Sequence, residues 1–535
     1  MNTPITCRLK PYIQPFERKL ALRELEALAH DMPRPMPAID TKPECFRVKS
    51  PKPARILARE LAYWEVICGE RTITTTQSLR ESTVNVVRNG ISFEALAAQL
   101  PFKQEIPLPN RRCLRYGTHG LHEYRGKFFP QLVRSFINIA DVPAGGFVAD
   151  PFSGSGTTAV EAILAKRKAI GLDMNPLSVF MAQTKCTLLG VQAAQLEKNY
   201  DDVRAEVLAA KRRKCGDSWL SRLAEVDREY LQVWFDATIL RELDEIATCV
   251  DKQTNSAIRD FMLLCLSNIL RKVSWQKLDD LRVRRELKSV DEIDPVKEFL
   301  EELGRSVRLV LAFLRQENRP TTTRFEIANG DSRQLPFYWS KWIGKIDAVI
   351  TSPPYATALP YLDTDRLSLC FLGLLPRNEH RERDQDMIGN REITDKARKT
   401  FWQEFSLGQH GLPDSVVELI SKIHRLNHKS NAGFRRQNLP SLLYKYFHDM
   451  KQVFSGMQEI LKSGASAFVV VGNNHTIAGG QRVDITTIDL LRDVAMSVGL
   501  EAVETMEMEM LVSRDIFKKN AIDSESILHF RKFRQ

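Results

Sequence analysis

Five short apolar runs in this chain each end in acidic or small polar residues. They are GFVADPF near position 150, AIGLDMNP near 172, RFEIANGD near 328, IDAVITSPPY near 350 and ASAFVVVGNN near 470. Apolar runs of this length, bounded by turn residues, predict buried strands followed by loops. TTAVEAILAKRKA, after the first run, has helical period. Strands alternating with helices predict a parallel α/β sheet, in which ligands bind at the carboxyl ends of the strands. Asp, Asn and Ser gather at those ends here. The stretch from Leu500 to Lys532 predicts two further strands joined by a longer loop.

The pattern divides the chain. Residues 1–115 read as a mostly helical accessory region: Phe16–His30 has helical period, prolines 33–53 mark an irregular connector, and a second mostly helical stretch runs from Ala54 to Leu100. The sheet pattern occupies 116–190, 321–371 and 440–535. Residues 191–320 form a helical insertion, a candidate for DNA recognition, and 372–439 form a polar, basic one.

Composition narrows the class. With 43% hydrophobic and 27% charged residues over 535 positions, the chain is neither mainly disordered nor fibrous, and is long enough for several units. No apolar run approaches the ~20 residues that span a bilayer, and the first residues lack a secretory apolar stretch. The expectation is a cytoplasmic protein with no membrane partner. Nine scattered cysteines fit neither a disulfide framework nor a zinc site, so no metal is expected. The net charge of +10 is compatible with a polyanionic partner without requiring one.

The first candidate site is Asp150-Pro151-Phe152-Ser153-Gly154-Ser155-Gly156-Thr157-Thr158, between a strand and a helix. Glycines at such a turn let the backbone approach a ligand closely. No lysine follows them, which argues against a triphosphate loop, and GSG alone is not a dinucleotide fingerprint. Asp173 ends the next strand, where an acid can accept both ribose hydroxyl protons. Asp331 ends a later one and is placed to accept an adenine amino proton. Together these describe an adenosine site without a phosphate clamp, as S-adenosylmethionine requires.

The second is Ser352-Pro353-Pro354-Tyr355, directly after a strand. An exocyclic amino group is a weak nucleophile because its lone pair is delocalised into the ring. Accepting hydrogen bonds from both amino hydrogens favours a pyramidal nitrogen. Ser352 Oγ and the Pro353 carbonyl are suitable acceptors, and proline brings no competing N–H. Pro354 holds the turn, and Tyr355 can stack on a base that has left its helix.

On these residues the chain resembles the amino-methylating (N4-cytosine/N6-adenine) DNA methyltransferases. Asp150–Thr158 resembles their cofactor motif, and Ser352–Tyr355 their catalytic motif in the form usual for cytosine-N4 enzymes. His122–Pro130, with Tyr124, Lys127 and Phe129, resembles the segment that packs over the cofactor's methionine part. The resemblance covers roughly half the chain. It implies a Rossmann-like, seven-stranded methyltransferase sheet, S-adenosyl-L-methionine as cofactor, double-stranded DNA as substrate and base flipping, with a cognate restriction or defence protein as a conceivable partner. Here the helical insertion lies between the ribose-acid and adenine-acid strands, so the chain fits no standard class of the family. Adenine N6, an RNA amine, and a catalytically silent binding relative stand as alternatives. Cytosine C5 chemistry is set aside, because no Pro-Cys occurs.

Basic clusters lie outside the sheet pattern: Lys211–Lys214 and Arg282, Arg284, Arg285 and Lys288 in the first insertion, and Arg381, Arg383, Arg391, Arg435 and Arg436 in the second. The second insertion follows the catalytic strand, so its arginines are the expected DNA contacts.

Overall fold

The computed structural model describes residues 3–36, 43–103, 106–124, 126, 128–210, 218–277, 284–287, 289, 292–318, 320–321, 323–356, 362–408, 411–430, 433–509 and 524–533. The five apolar runs form β6 (Phe147–Asp150), β7 (Lys168–Asp173), β8 (Phe325–Asn329), β9 (Ile346–Thr351) and β10 (Leu461–Gly472), all mutually parallel. β13 (Leu500–Glu509) and β14 (Ser524–Lys532) add an antiparallel pair, giving the order β13-β14-β10-β9-β6-β7-β8. This is the Rossmann-like seven-stranded methyltransferase sheet expected from the sequence. A small hairpin, β11 (Asn474–Ala478) and β12 (Gln481–Ile485), follows β10.

Successive strand residues serve opposite faces, as a period of two requires. Val148, Ile350 and Phe468 join one core, while their neighbours Ala149, Val349 and Val469 join the other. Phe468 stacks on Phe136 of helix Pro130–Ile139 at 4.4 Å between ring centroids. Both faces are covered, which is why the central strands read as unbroken apolar runs.

The first insertion is helical as expected, with helices that include Ala193–Ala210, Ala237–Asp251, Ser256–Val273 and Pro295–Glu317. The second contributes helices His380–Asp386, Asp395–Ser406 and Asp414–Lys429, and helix Phe434–Ile460 then leads into β10. Among the described residues no helix is long and apolar enough to cross a membrane.

The N-terminal region departs from the expected mostly helical reading. Besides its helices it holds a five-stranded antiparallel sheet: β1 (Thr3–Leu9), β2 (Arg34–Pro35), β3 (Cys45–Ser50), β4 (Trp64–Cys68) and β5 (Thr72–Thr74), in the order β2-β3-β1-β4-β5. β3 alternates buried and exposed residues but sits between prolines, which masked it. This region is joined to the core through buried polar contacts. Glu24 accepts from the Ala62 and Tyr63 N–H groups and from Asn138 Nδ2, and Arg167 pairs with Glu60 at 2.7 Å.

Candidate active site

The carboxyl ends of β6, β7, β9 and β10 meet around a cavity of about 340 Å³. Both sequence constellations line it: Asp150, Phe152, Gly154, Thr157 and Asp173 on one side, and Ser352, Pro353, Pro354 and Tyr355 on the other. Tyr124 and Phe129, from the segment before helix Pro130–Ile139, also line it. Lys127, expected beside them, lies outside the described residues.

The cofactor loop is held by its own backbone. Gly154 has φ +47°, and a Cβ there would lie 3.0 Å from Tyr124 Oη, so a side chain would be both strained and crowded. The Gly154 N–H donates to Asp173 Oδ2 at 2.8 Å, and the Asn175 N–H donates to Asp173 Oδ1 at 2.9 Å. Each oxygen keeps further lone-pair capacity toward the cavity. Burial pushes the Asp173 carboxyl up to about 6, against the pull of these two N–H groups. Asp150 is likewise pushed up to about 6 by burial, although it accepts from Thr351 Oγ1 at 2.6 Å and from the Phe152 N–H at 3.0 Å.

Two expected cofactor residues play other parts. Gly156, with φ +81°, caps helix Thr157–Leu164, and a Cβ there would sit 2.7 Å from Ala182 Cβ, so it serves helix packing rather than the cavity wall. Asp331 does not line the cavity. Its carboxylate is taken by Arg333, two residues on, at 2.7 Å, and Arg333 also reaches Asp449. Ser332 lines the cavity in its place, and its hydroxyl donates to the Pro151 carbonyl.

The Ser352–Tyr355 turn keeps its acceptors open. The Ser352 hydroxyl has no hydrogen-bond partner among the described residues, while the Tyr355 hydroxyl donates to Glu525 Oε1. The second insertion supplies a wall through Met387 and Ile388. Gly389, φ +79°, packs so closely that a Cβ would lie 2.7 Å from the Tyr355 carbonyl oxygen. Glu525, Asn175, Ser332, Met387 and Ile388 had no signal in the sequence, because long-range packing brings them here. His475 lies on β11 and is not part of the cavity wall.

The expected DNA arginines separate into two kinds. Arg381, Arg391, Arg435 and Arg436 are exposed and form no ion pair among the described residues. Arg383 instead donates to the Met174 carbonyl and to Asn329 Oδ1, both at 3.0 Å, and pins the second insertion to the strand ends. It is therefore a clamp in this structure and not an open cation. Lys211–Lys214, Arg282 and Lys288 lie outside the described residues.

The sheet has the Rossmann-like methyltransferase order, and both sequence constellations line its cavity. Residues 107–183 match the family model described as DNA methylase, N6_N4_Mtase. Similar proteins include the Type II methyltransferase M.MvaI of Kocuria varians, 28% identical over 52% of this chain and 63% of that protein. M.MjaII of Methanocaldococcus jannaschii is 23% identical over 46% of this chain and 60% of its own. M.BsoBI of Geobacillus stearothermophilus is 21% identical over 74% of this chain and 82% of its own. The chain thus matches about three-fifths of the length of the first two.

The cofactor of this family is S-adenosyl-L-methionine, and the cavity fits it. The carboxyl groups of Asp150 and Asp173 line the glycine-loop side of the cavity, and no lysine, arginine or histidine lines the cavity among the described residues. Such a wall suits a cationic nucleoside and opposes a triphosphate.

Proposed function

We propose that this chain transfers a methyl group from S-adenosylmethionine to the exocyclic amino group of a flipped base in double-stranded DNA, with cytosine N4 as the target. The observation that carries this is the shared cavity: an acid-lined nucleoside pocket opens directly onto Ser352-Pro353-Pro354-Tyr355. Bound S-adenosylmethionine supplies an electrophilic methyl group. Ser352 Oγ and the Pro353 carbonyl accept the two amino hydrogens, which localises the nitrogen lone pair for attack. Pro354 fixes the turn, and Tyr355 stacks on the base. The methylated ammonium is acidic and loses its proton to solvent, so no strong base is required. The serine in the turn favours cytosine over adenine. Arg381, Arg391, Arg435 and Arg436 supply cations for the DNA backbone around the target. The relatives' Type II methyltransferase names support a role beside a restriction activity.

The test is methyl transfer to genomic DNA by the full chain and by its Ser352→Ala plus Tyr355→Ala variant. The variant should lose at least about 10²-fold in turnover while binding cofactor as the parent does, by analogy with removal of a transition-state hydrogen bond. Full activity in the variant would sink the mechanism.

A further inference from the structure

Glu525 lies on β14, far in sequence from either motif, yet its carboxyl lines the cavity beside the catalytic turn. Its backbone is paired with Gly472 of β10 on one side and Met508 of β13 on the other, a position rigidly held within the sheet. One of its oxygens accepts the hydroxyl of Tyr355. No cation pairs with Glu525 among the described residues, and burial raises its carboxyl above the usual range. A half-buried acid without a counter-charge costs stability, and such groups concentrate where a site uses them.

From this geometry we infer that Glu525 is a positioning residue that fixes the Tyr355 ring against the target base. The inference rests on the methyltransferase reading above. The prolines restrain the Tyr355 backbone, but they leave its side-chain torsions free. A hydrogen bond at the hydroxyl, the far end of the ring, restrains those torsions. The ring plane is then set before the base arrives, and less ordering remains to be done when it stacks. Glu525 thus acts on the base through Tyr355.

The experiment uses the full chain and four variants: Glu525→Ala, Glu525→Gln, Tyr355→Phe, and Tyr355→Phe with Glu525→Ala. Steady-state methyl transfer to unmethylated genomic DNA is measured with cofactor affinity and thermal midpoint. Glu525→Ala and Tyr355→Phe should each lower kcat about tenfold, the scale of one hydrogen bond to a charged group, with cofactor affinity unchanged. Glu525→Gln, whose amide oxygen still accepts from Tyr355, should stay within about twofold of the parent. The double variant should be no worse than either single one, because both remove the same bond. Tyr355→Phe deletes one oxygen and keeps the test valid should Glu525→Ala fold poorly. Parent-like activity in Glu525→Ala, failure of Glu525→Gln to rescue, or additive losses in the double variant would overturn the inference and leave the methyltransferase reading standing. A parent that transfers no methyl group to DNA would overturn both.

Discussion

The Thr351 hydroxyl donates a 2.6 Å hydrogen bond to Asp150 Oδ1, and this bond joins the strand before Ser352 to the glycine loop. Thr351 is the last residue of β9, immediately before Ser352, and Asp150 is the last of β6. The two strands are parallel neighbours, so their carboxyl ends must open at the same level. Replacing Thr351 by Val keeps the shape and removes the donor. Asp150 then stays buried with less support, at a cost of about 1–3 kcal/mol. We expect Thr351→Val to weaken cofactor binding and to lower kcat together. Cofactor titration and steady-state kinetics read this, and an effect on only one of the two would show that the bond does not link the sites.

Gly389 gives a second expectation. Its φ of +79° disfavours any side chain, and a Cβ there would press on the Tyr355 carbonyl oxygen. Gly389→Ala should displace the catalytic turn, with a strain of about 1–3 kcal/mol. Turnover should fall by about tenfold or more while cofactor affinity holds, because Gly389 packs on the turn and not on the glycine loop. Unchanged kcat would mean that the second insertion is not a wall of the working site.

The pH dependence of cofactor binding follows from Asp150 and Asp173. Both carboxyls are raised by burial from an ordinary value of 3.8 to about 6. The folded protein therefore holds these protons more tightly than the unfolded chain does. The cost of burying the two charges is full above about pH 6 and is relieved as pH falls from there toward 3.8. Cofactor binding runs the opposite way, since the ribose hydroxyls and the ligand's positive charge need ionised acids. Affinity should fall about tenfold between roughly pH 7 and 5 if one ionised acid is required. Calorimetric titration across that range checks this, and a flat profile would contradict the assigned roles.

The arginines should divide as the structure divides them. Charge reversal at Arg381, Arg391, Arg435 and Arg436 together should weaken DNA binding. It should also reduce the slope of log affinity against log salt by up to about 3.6, at ~0.9 for each phosphate no longer neutralised. Arg383→Ala should leave that slope nearly unchanged. It should instead loosen the strand ends beside Asp173, where Arg383 holds the Met174 carbonyl. Equal salt slopes for parent and quadruple variant would remove the second insertion from the DNA interface.

Much of this site was legible because its signals are local. A buried strand followed by Asp-Pro-Phe-Ser-Gly-Ser-Gly or Ser-Pro-Pro-Tyr carries its period and its turn chemistry within a dozen residues. Asp331 lies outside the cavity lining for an equally local reason, since Arg333 two residues away pairs with its carboxylate. The N-terminal sheet was missed because helical period over Phe16–His30 dominates, while β1, β3 and β4 are short and β3 is bracketed by prolines. Glu525, Gly389 and the clamp at Arg383 could not be read. Each gains its role from a partner more than 30 residues away, and no pattern in one chain announces such a pairing.

The chemical identity of the product decides whether this cavity methylates a base amine in DNA. The purified full chain is incubated with labelled S-adenosylmethionine, with genomic DNA and total RNA in parallel, and the nucleic acid is digested to nucleosides for mass analysis. The expected result is label in DNA as N4-methylcytosine. N6-methyladenine in DNA would contradict the base assignment. Label in RNA alone, or none with cofactor still bound, would contradict the claim that this cavity methylates DNA.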